Sequence, residues 1–292
     1  MTAKGRGVSV VLAAAFLISL TNVLAPILYD NGSNALTYLT LRFVFFVAVC
    51  RLWFRLRGIS SDVTPRQRLN AYGAGGAYVV GAGCLLSSFA YIPVSMAVLI
   101  LYLFPLLTMI ATNALDRRPP NATEALCLLA AFMGLALALG VNFETLHPLG
   151  LGLAGLGAIG IAAFVVWSGR SLQDVDSTVS TYHMAVSGAV LATVATLASD
   201  SFTMDIPSLY GWLVFTAAVL SFAAAFFAMF SGVRLVGPVR FGMLMNTEPV
   251  ITIALSLMLL GESLTVLQYA GAALIIGAVV VAQRAAGAVE KA

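Results

Sequence analysis

Ten apolar stretches, each long enough to cross a membrane, occupy most of the chain and constrain its fold more than any other feature. A membrane-spanning helix needs roughly 20 mostly apolar residues, because every backbone amide must be satisfied within the segment. Charged residues make up 9% of the sequence, whereas a soluble domain is about 25% charged. We therefore predict ten spans, near Gly7–Tyr29, Ala35–Phe54, Leu69–Ser88, Ser95–Leu115, Thr123–Val141, Leu149–Gly169, Val179–Ser199, Leu209–Leu235, Phe241–Leu260 and Val266–Ala285.

The basic residues provide a test of this span count, because Lys and Arg accumulate on cytoplasmic loops. With the amino terminus inside, all 15 of them except Arg42 fall on the cytoplasmic side. Both termini are then cytoplasmic. The first stretch, which follows Lys4 and Arg6, is too long for a signal peptide and is expected to be retained. The net charge of +3 reflects topology and does not indicate a nucleic-acid partner.

Prolines that interrupt two of the spans reveal an internal repeat. Pro105 in span four and Pro249 in span nine lie five spans apart, and each precedes a glycine at a similar distance: Gly134 after 29 residues and Gly277 after 28. Two further prolines keep the same register upstream, Pro93 and Pro238. Because five is odd, two copies of a five-span unit must lie in the membrane with opposite orientations.

Inverted repeats are typical of secondary transporters, whose two halves rock about a central site. We predict a first repeat over residues 1–145 and a second, inverted repeat over residues 146–292, around a central cavity. Pro105 and Pro249 each lie about ten residues into a span, or roughly 15 Å, near the middle of the bilayer. Each is expected to act as a hinge and to free a carbonyl four residues earlier, on Leu101 and Met245. The alternative is a kink accommodated by packing.

Two ionisable side chains of opposite sign, Arg42 and Glu248, lie close to the predicted midplane. Burying a charge there costs on the order of 3 kcal/mol or more, so each side chain should face a partner or a wet cavity. One interpretation is structural, with the two groups paired to each other or to carbonyls. In the functional interpretation Arg42 attracts a substrate carboxylate and Glu248 receives a substrate ammonium group or a proton. Whether transport is coupled to protons is left open.

Other polar and aromatic side chains at membrane depth complete the set of predicted substrate-binding residues. Asn22 and Asn246 are expected to bond across helices or to contact substrate. Trp167 is expected near an interface, and of the three tryptophans it is the one predicted to reach a cavity. The remaining candidates are Tyr78, Tyr102 and Ser221. Helix packing is the alternative role for all of these residues.

No residue pattern in the sequence indicates an enzyme, a metal site or a bound cofactor. Cys50, Cys84 and Cys127 lie in separate spans, without the spacing of a metal site or a redox pair. No loop long enough to hold an active site contains a Ser/His/Asp group or paired carboxylates. A channel would need a continuous polar stripe, which the few polar residues hardly supply. We therefore predict a transporter, with a channel and a membrane-embedded enzyme as alternatives.

The motifs of the chain resemble those of the EamA branch of the drug/metabolite transporter superfamily. The second half contains the residues that look like the hallmark of that branch, in the order Glu248-Pro249-Val250, Gly261-Glu262, Gly271 and Gly277. Asn22 and Arg42-Phe43 fit its first-half pattern, so the resemblance covers essentially the whole chain. The first half departs from the pattern where Phe104 precedes Pro105 and where Asp116-Arg117-Arg118 replaces the usual Gly-Glu pair.

This resemblance implies ten helices in two inverted five-helix repeats and export of small metabolites across a bacterial inner membrane. Within the family the chain is most similar to exporters of amino acids, including aromatic and apolar ones. A zwitterionic substrate would suit a cavity with one acid, one base and aromatic walls. Drug-like cations and other metabolites are the alternative substrates.

Overall fold

The computed structural model of the chain describes residues 3–119, 121–139, 147–236, 241 and 244–289. Within these ranges the regular structure is entirely helical. The helices are α1 (Ala3–Asp30), α2 (Ala35–Arg57), α3 (Pro65–Ser88), α4 (Val94–Leu101), α5 (Phe104–Leu115), α6 (Ala122–Leu139), α7 (Pro148–Ser171), α8 (Ser177–Ala198), α9 (Leu209–Val236), α10 (Glu248–Leu259) and α11 (Val266–Val289).

These helices follow the predicted spans in order. The fourth span is divided into α4 and α5, and α10 is the regular helix of the ninth. Counting α4 and α5 together, six spans in the described ranges are long and apolar enough to cross a membrane, and the apolar parts of α6, α10 and α11 are shorter. α3 is the least apolar helix, since its first turn contains two arginines and its length five glycines. The predicted all-helical membrane fold is confirmed.

Contacts between connecting segments assign them to the two faces of the bundle. On one face the α2–α3 loop meets α8, where Nε2 of His183 donates to the carbonyl oxygen of Ser61 at 2.8 Å. On the opposite face the α1–α2 loop meets the α8–α9 loop, where Nδ2 of Asn34 donates to the carbonyl oxygen of Ser201 at 2.5 Å. We call the first face the basic face because arginines cluster there, at Arg51, Arg55, Arg57, Arg66 and Arg68.

The two broken spans have the same local structure, as the internal repeat requires. α4 stops at Leu101, and a turn at Tyr102–Leu103 precedes α5, which has Pro105 as its second residue. In the second repeat a turn at Asn246–Thr247 precedes α10, which has Pro249 as its second residue. Proline is tolerated in a first helical turn, because the amide it lacks would have no partner there. Each proline therefore starts a new helix instead of bending an old one.

Helix packing repeats in the same way. α1 packs along α9 and α3 packs along α7, which are equivalent pairs once the two repeats are exchanged. α2 also meets α8, and α6 meets α11. Exchanging the two repeats maps each of these two pairs onto itself. The symmetry is incomplete, because α3 packs against α8 more extensively than α2 packs against α9. The predicted pair of inverted repeats thus accounts for most helix contacts.

Glycines allow the helix backbones of α3 and α7 to touch. A Cβ atom added to Gly160 would lie 2.6 Å from the Cα atom of Gly81, and one added to Gly81 would lie 2.9 Å from the backbone nitrogen of Ile161. Small residues at such crossings are how membrane helices approach closely. The backbones of these two glycine-rich helices are therefore in direct contact.

Four residues used in the sequence arguments lie outside the described ranges: Val141, the predicted end of span five, Pro238, and two of the 15 basic residues, Arg240 and Lys291.

Candidate substrate site

The candidate site begins at the broken ninth span. Glu248 is the first residue of α10, and 9% of its surface is exposed. Its Oε2 atom accepts a hydrogen bond of 2.9 Å from the hydroxyl of Tyr102, which lies in the break of the fourth span. The backbone carbonyl of Glu248 accepts a bond of 3.0 Å from Oγ of Ser19 on α1. The two broken spans therefore meet through one acid and one phenol.

Tyr102 also reaches the carbonyl that Pro249 leaves without its helical donor. Its hydroxyl lies 3.2 Å from the carbonyl oxygen of Met245, four residues before Pro249. A phenol has one proton to donate, so it cannot serve Glu248 and Met245 at the same time. Tyr102 can bond both groups at once only when Glu248 itself holds a proton and donates it to the Tyr102 oxygen.

Arg42 lies in a group of aromatic rings. Its guanidinium carbon is 4.5 Å from the ring centroid of Phe222 and 5.4 Å and 5.7 Å from those of Tyr38 and Phe43. Only 3% of Arg42 is exposed, and its Nε atom is buried with no hydrogen-bond partner among the described residues. The faces of these rings attract a cation, but they supply no negative charge that would neutralise it.

Arg42 and Glu248 do not form an ion pair. Among the described residues, ion pairs join Arg118 to Glu124 and Arg170 to Asp116. Tyr78 on α3 lies close enough to both Arg42 and Glu248 to interact electrostatically with each. The site therefore has a buried cation and a buried acid that both lie near Tyr78 and do not form an ion pair with each other.

A small cavity of about 40 Å³ adjoins the aromatic group. On this measure one water molecule needs about 10–15 Å³, so the cavity has room for a few waters and not for an amino acid. The helices must separate before a substrate of that size fits. The lining of the cavity includes residues of α8 and five aromatic residues from α2, α3, α7 and α9, namely Phe43, Phe46, Tyr78, Phe164 and Phe226.

The other predicted site residues divide into buried and exposed ones. Asn22 on α1, Ser221 on α9 and Asn246 in the ninth-span break are all buried. Ser221 directly precedes Phe222, which contacts Arg42. Trp167 lies apart from this group: 43% of its surface is exposed, and its ring covers Gly73 on α3.

Sequence reasoning did not single out two residues that complete the surroundings of Arg42. Tyr38 lies one turn before Arg42 on α2, and its hydroxyl shares a hydrogen bond with Thr21 on α1. Phe46 lies one turn after Arg42 and contacts the ring of Phe222. The four-residue spacing of Tyr38, Arg42 and Phe46 places them on one helix face, and this signal could have identified them.

Two inverted copies of a helical unit, each with a broken span beside buried polar groups, define a membrane transporter. The chain belongs to the EamA-like transporter family, whose model matches residues 5–140 and again residues 148–283. The two matches correspond to the two repeats.

Two known proteins are similar to the chain over nearly its whole length. A protein of Synechocystis sp. named "Uncharacterized transporter sll1319" is 23% identical over 304 residues, which cover 92% of this chain and 90% of that protein. A solved structure described as "Crystal structure of protein" is 20% identical, with a TM-score of 0.64, and covers 98% of this chain and 99% of that one. The solved structure supports the fold alone.

Proposed function

We propose that the chain exports amino acids with aromatic or other apolar side chains across a bacterial inner membrane, by alternating access. One observation supports this more than any other: Arg42 and Glu248 are both buried, both interact electrostatically with Tyr78, and do not pair with each other. A substrate with a carboxylate and an ammonium group would satisfy both charges. The surrounding rings would then receive an apolar side chain.

The charge of Arg42 favours a zwitterion over a drug-like cation. A cation without a carboxylate would gain the attraction of Glu248 but would also lie near the buried positive charge of Arg42, which is not in an ion pair. In a medium of low dielectric constant this repulsion is strong. The same argument disfavours an anion that lacks an ammonium group, because Glu248 would repel it when ionised.

Alternating access is supported by the incomplete symmetry of the bundle. α3 packs tightly on α8, so that a Cβ atom on Gly75 would lie 2.3 Å from the carbonyl oxygen of Met184. The equivalent pair in the other repeat, α2 and α9, packs less extensively. An inverted-repeat transporter that is closed at one face has this asymmetry, and rocking of the repeats exchanges the two packings. By the charge rule the basic face is cytoplasmic and both termini lie inside.

The hydrogen bonds of Tyr102 support coupling of transport to protons, because its hydroxyl has one proton and lies near two acceptors. With Glu248 protonated, Glu248 donates to Tyr102 and Tyr102 donates to Met245, so both acceptors are paired. With Glu248 ionised, Tyr102 turns to the carboxylate and leaves the Met245 carbonyl without this donor. An ammonium group arriving from the substrate would compensate the ionised carboxylate. Substrate and proton would therefore compete for Glu248, which is the basis of exchange transport.

Counterflow in proteoliposomes tests this proposal. Vesicles loaded with unlabelled phenylalanine should take up labelled phenylalanine in a saturable manner. Phenethylamine, which lacks the carboxylate, and phenylpropanoate, which lacks the ammonium group, should each compete on the order of tenfold more weakly than phenylalanine. The matched control for the acid is Glu124→Gln, which changes a buried carboxylate on α6 that bonds Asn113 and Arg118 outside the site.

Three results would contradict the proposal. Equal competition by phenylalanine and phenethylamine would indicate a cation site instead. Flux that does not saturate and shows no counterflow would indicate a channel. Uptake by Glu248→Gln with the rate, affinity and pH dependence of the parent protein would remove Glu248 from the site.

A further inference from the structure

A carboxylate of the second repeat caps a helix of the first. Oε1 of Glu262, in the α10–α11 loop, accepts a bond of 2.7 Å from the backbone amide of Val94, and Oε2 accepts one of 3.1 Å from that of Ser95. These amides open α4, which follows Pro93 and has no side-chain cap of its own. An anion at a helix amino terminus is stabilised by the unpaired amides and by the helix dipole.

α4 is bonded to the second repeat at both of its ends. All eight of its residues are buried, and the helix is about 12 Å long at the usual rise. At the start of α4, on the face opposite the basic face, Glu262 bonds the backbone amides of the first residues. At the end of α4, Tyr102 directly follows the last helical residue, bonds Glu248 and reaches the carbonyl of Met245. A short, fully buried helix transmits displacement, because packed interiors have few voids to absorb it.

The first repeat has no equivalent of this contact among the described residues. Glu262 lies 13 positions after Pro249, and the residue 13 positions after Pro105 is Arg118. Arg118 has the opposite charge and bonds Glu124 at 2.8 Å, within its own repeat. The position equivalent to Glu262 in the first repeat therefore has a cationic side chain, which cannot accept a hydrogen bond from a backbone amide.

We infer that Glu262 is a positioning residue for the candidate substrate site, which holds α4 at the depth where Tyr102 meets Glu248. Glu262 does not touch substrate in this role and acts through α4 and Tyr102. The inference rests on the proposed transport function for its kinetic readout. Its structural readout is the rate of hydrogen exchange at the backbone amides of α4, which does not depend on any substrate.

A double-mutant cycle tests the role in transport. Glu262→Ala should raise the KM for phenylalanine counterflow on the order of tenfold, and Tyr102→Phe should raise it similarly. If Glu262 acts through Tyr102, adding Glu262→Ala to Tyr102→Phe should raise KM by less than about twofold further. Additive effects would overturn the inference. So would recovery of the parent KM by Glu262→Gln, which keeps only one acceptor oxygen.

The control variant is Thr265→Ala in the same loop. Thr265 and Gln268 exchange bonds at the start of α11, with the Thr265 amide 2.9 Å from Oε1 of Gln268. This change removes a helix cap without touching α4, and KM should stay at the parent value. A rise equal to that of Glu262→Ala would show that any loosening of the loop suffices, and would overturn the specific role.

Hydrogen exchange separates failure of this inference from failure of the proposed function. Glu262→Gln, and Glu262→Asp if the first variant does not fold, should speed exchange in the peptide covering residues 94–103, while Thr265→Ala should not. Unchanged exchange in the Glu262 variants would overturn the inference. If the parent protein does not transport phenylalanine, the proposed substrate fails, and exchange still decides whether Glu262 holds α4.

Discussion

The hydroxyl of Tyr102 lies 2.9 Å from Oε2 of Glu248, although the two residues are 146 positions apart and belong to different repeats. Each lies at the break of its own span: Tyr102 is in the turn before α5, Glu248 is the first residue of α10, and both helices have proline as their second residue. The breaks thus turn two helix interiors into a polar junction near the predicted middle of the membrane. This junction is the basis of the first two predictions.

Removing the Tyr102 hydroxyl should destabilise the protein. Tyr102→Phe leaves both Glu248 and the Met245 carbonyl without this partner, and the expected loss in free energy of unfolding is about 1–3 kcal/mol. The midpoint of thermal unfolding in detergent measures it. The control is Tyr29→Phe, which removes one bond of 3.0 Å to the carbonyl of Leu86. A loss no larger than that of the control would show that Tyr102 serves only one acceptor.

Neutralising Glu248 should uncouple transport from the proton gradient. Glu248→Gln cannot release a proton, so vesicles containing it should exchange saturating phenylalanine without accumulating it when a pH gradient is imposed. The parent protein and Glu124→Gln should accumulate it under the same gradient. Accumulation by all three proteins would assign proton coupling, if present, to another group.

Replacing Arg42 should remove the preference for a carboxylate. Arg42→Gln should weaken competition by phenylpropanoate on the order of tenfold, because its carboxylate loses the guanidinium contact. It should strengthen competition by phenethylamine, because the repulsion between two cations is removed. Arg42→Lys keeps the charge but loses the planar contact with the Phe222 ring, 4.5 Å away. Competition by phenylpropanoate in this variant should therefore be weaker than in the parent protein and stronger than in Arg42→Gln. Equal weakening of both competitors by Arg42→Gln would indicate that Arg42 only supports the fold.

The close contact between α3 and α7 should tolerate no side chain. Gly160→Val places its Cβ atom within 2.6 Å of the Gly81 Cα atom, and the helices must separate at a cost of about 1–3 kcal/mol. Gly155→Val is the matched control on the same helix, since nothing lies within 4 Å of a Cβ atom there. The difference in thermal midpoint between the two variants isolates the contact. Equal midpoints would mean that the helices are farther apart than the geometry indicates.

Much of the site was predictable, though not its arrangement. Proline spacing indicated both breaks, and the cost of burying charge indicated Arg42 and Glu248. The sequence left open whether these two residues pair, and only their positions show that they do not. Nothing in the sequence distinguishes Phe222 from the other phenylalanines of α9, because four-residue spacing of aromatic rings is common on buried helices. Glu262 was seen only as part of a family motif, since a carboxylate in a loop does not reveal which helix it caps.

The sequence by itself determined the class, the order of the helices and the duplication. Membrane insertion is decided within each stretch of about 20 residues, because the backbone must satisfy its own hydrogen bonds there, and a repeat is visible as regular spacing. Only the tertiary structure decided that Tyr102 meets Glu248, that aromatic rings surround Arg42 and that Glu262 caps α4. These contacts depend on the rotation and depth of each helix, which are set by packing against distant segments and not by any local pattern.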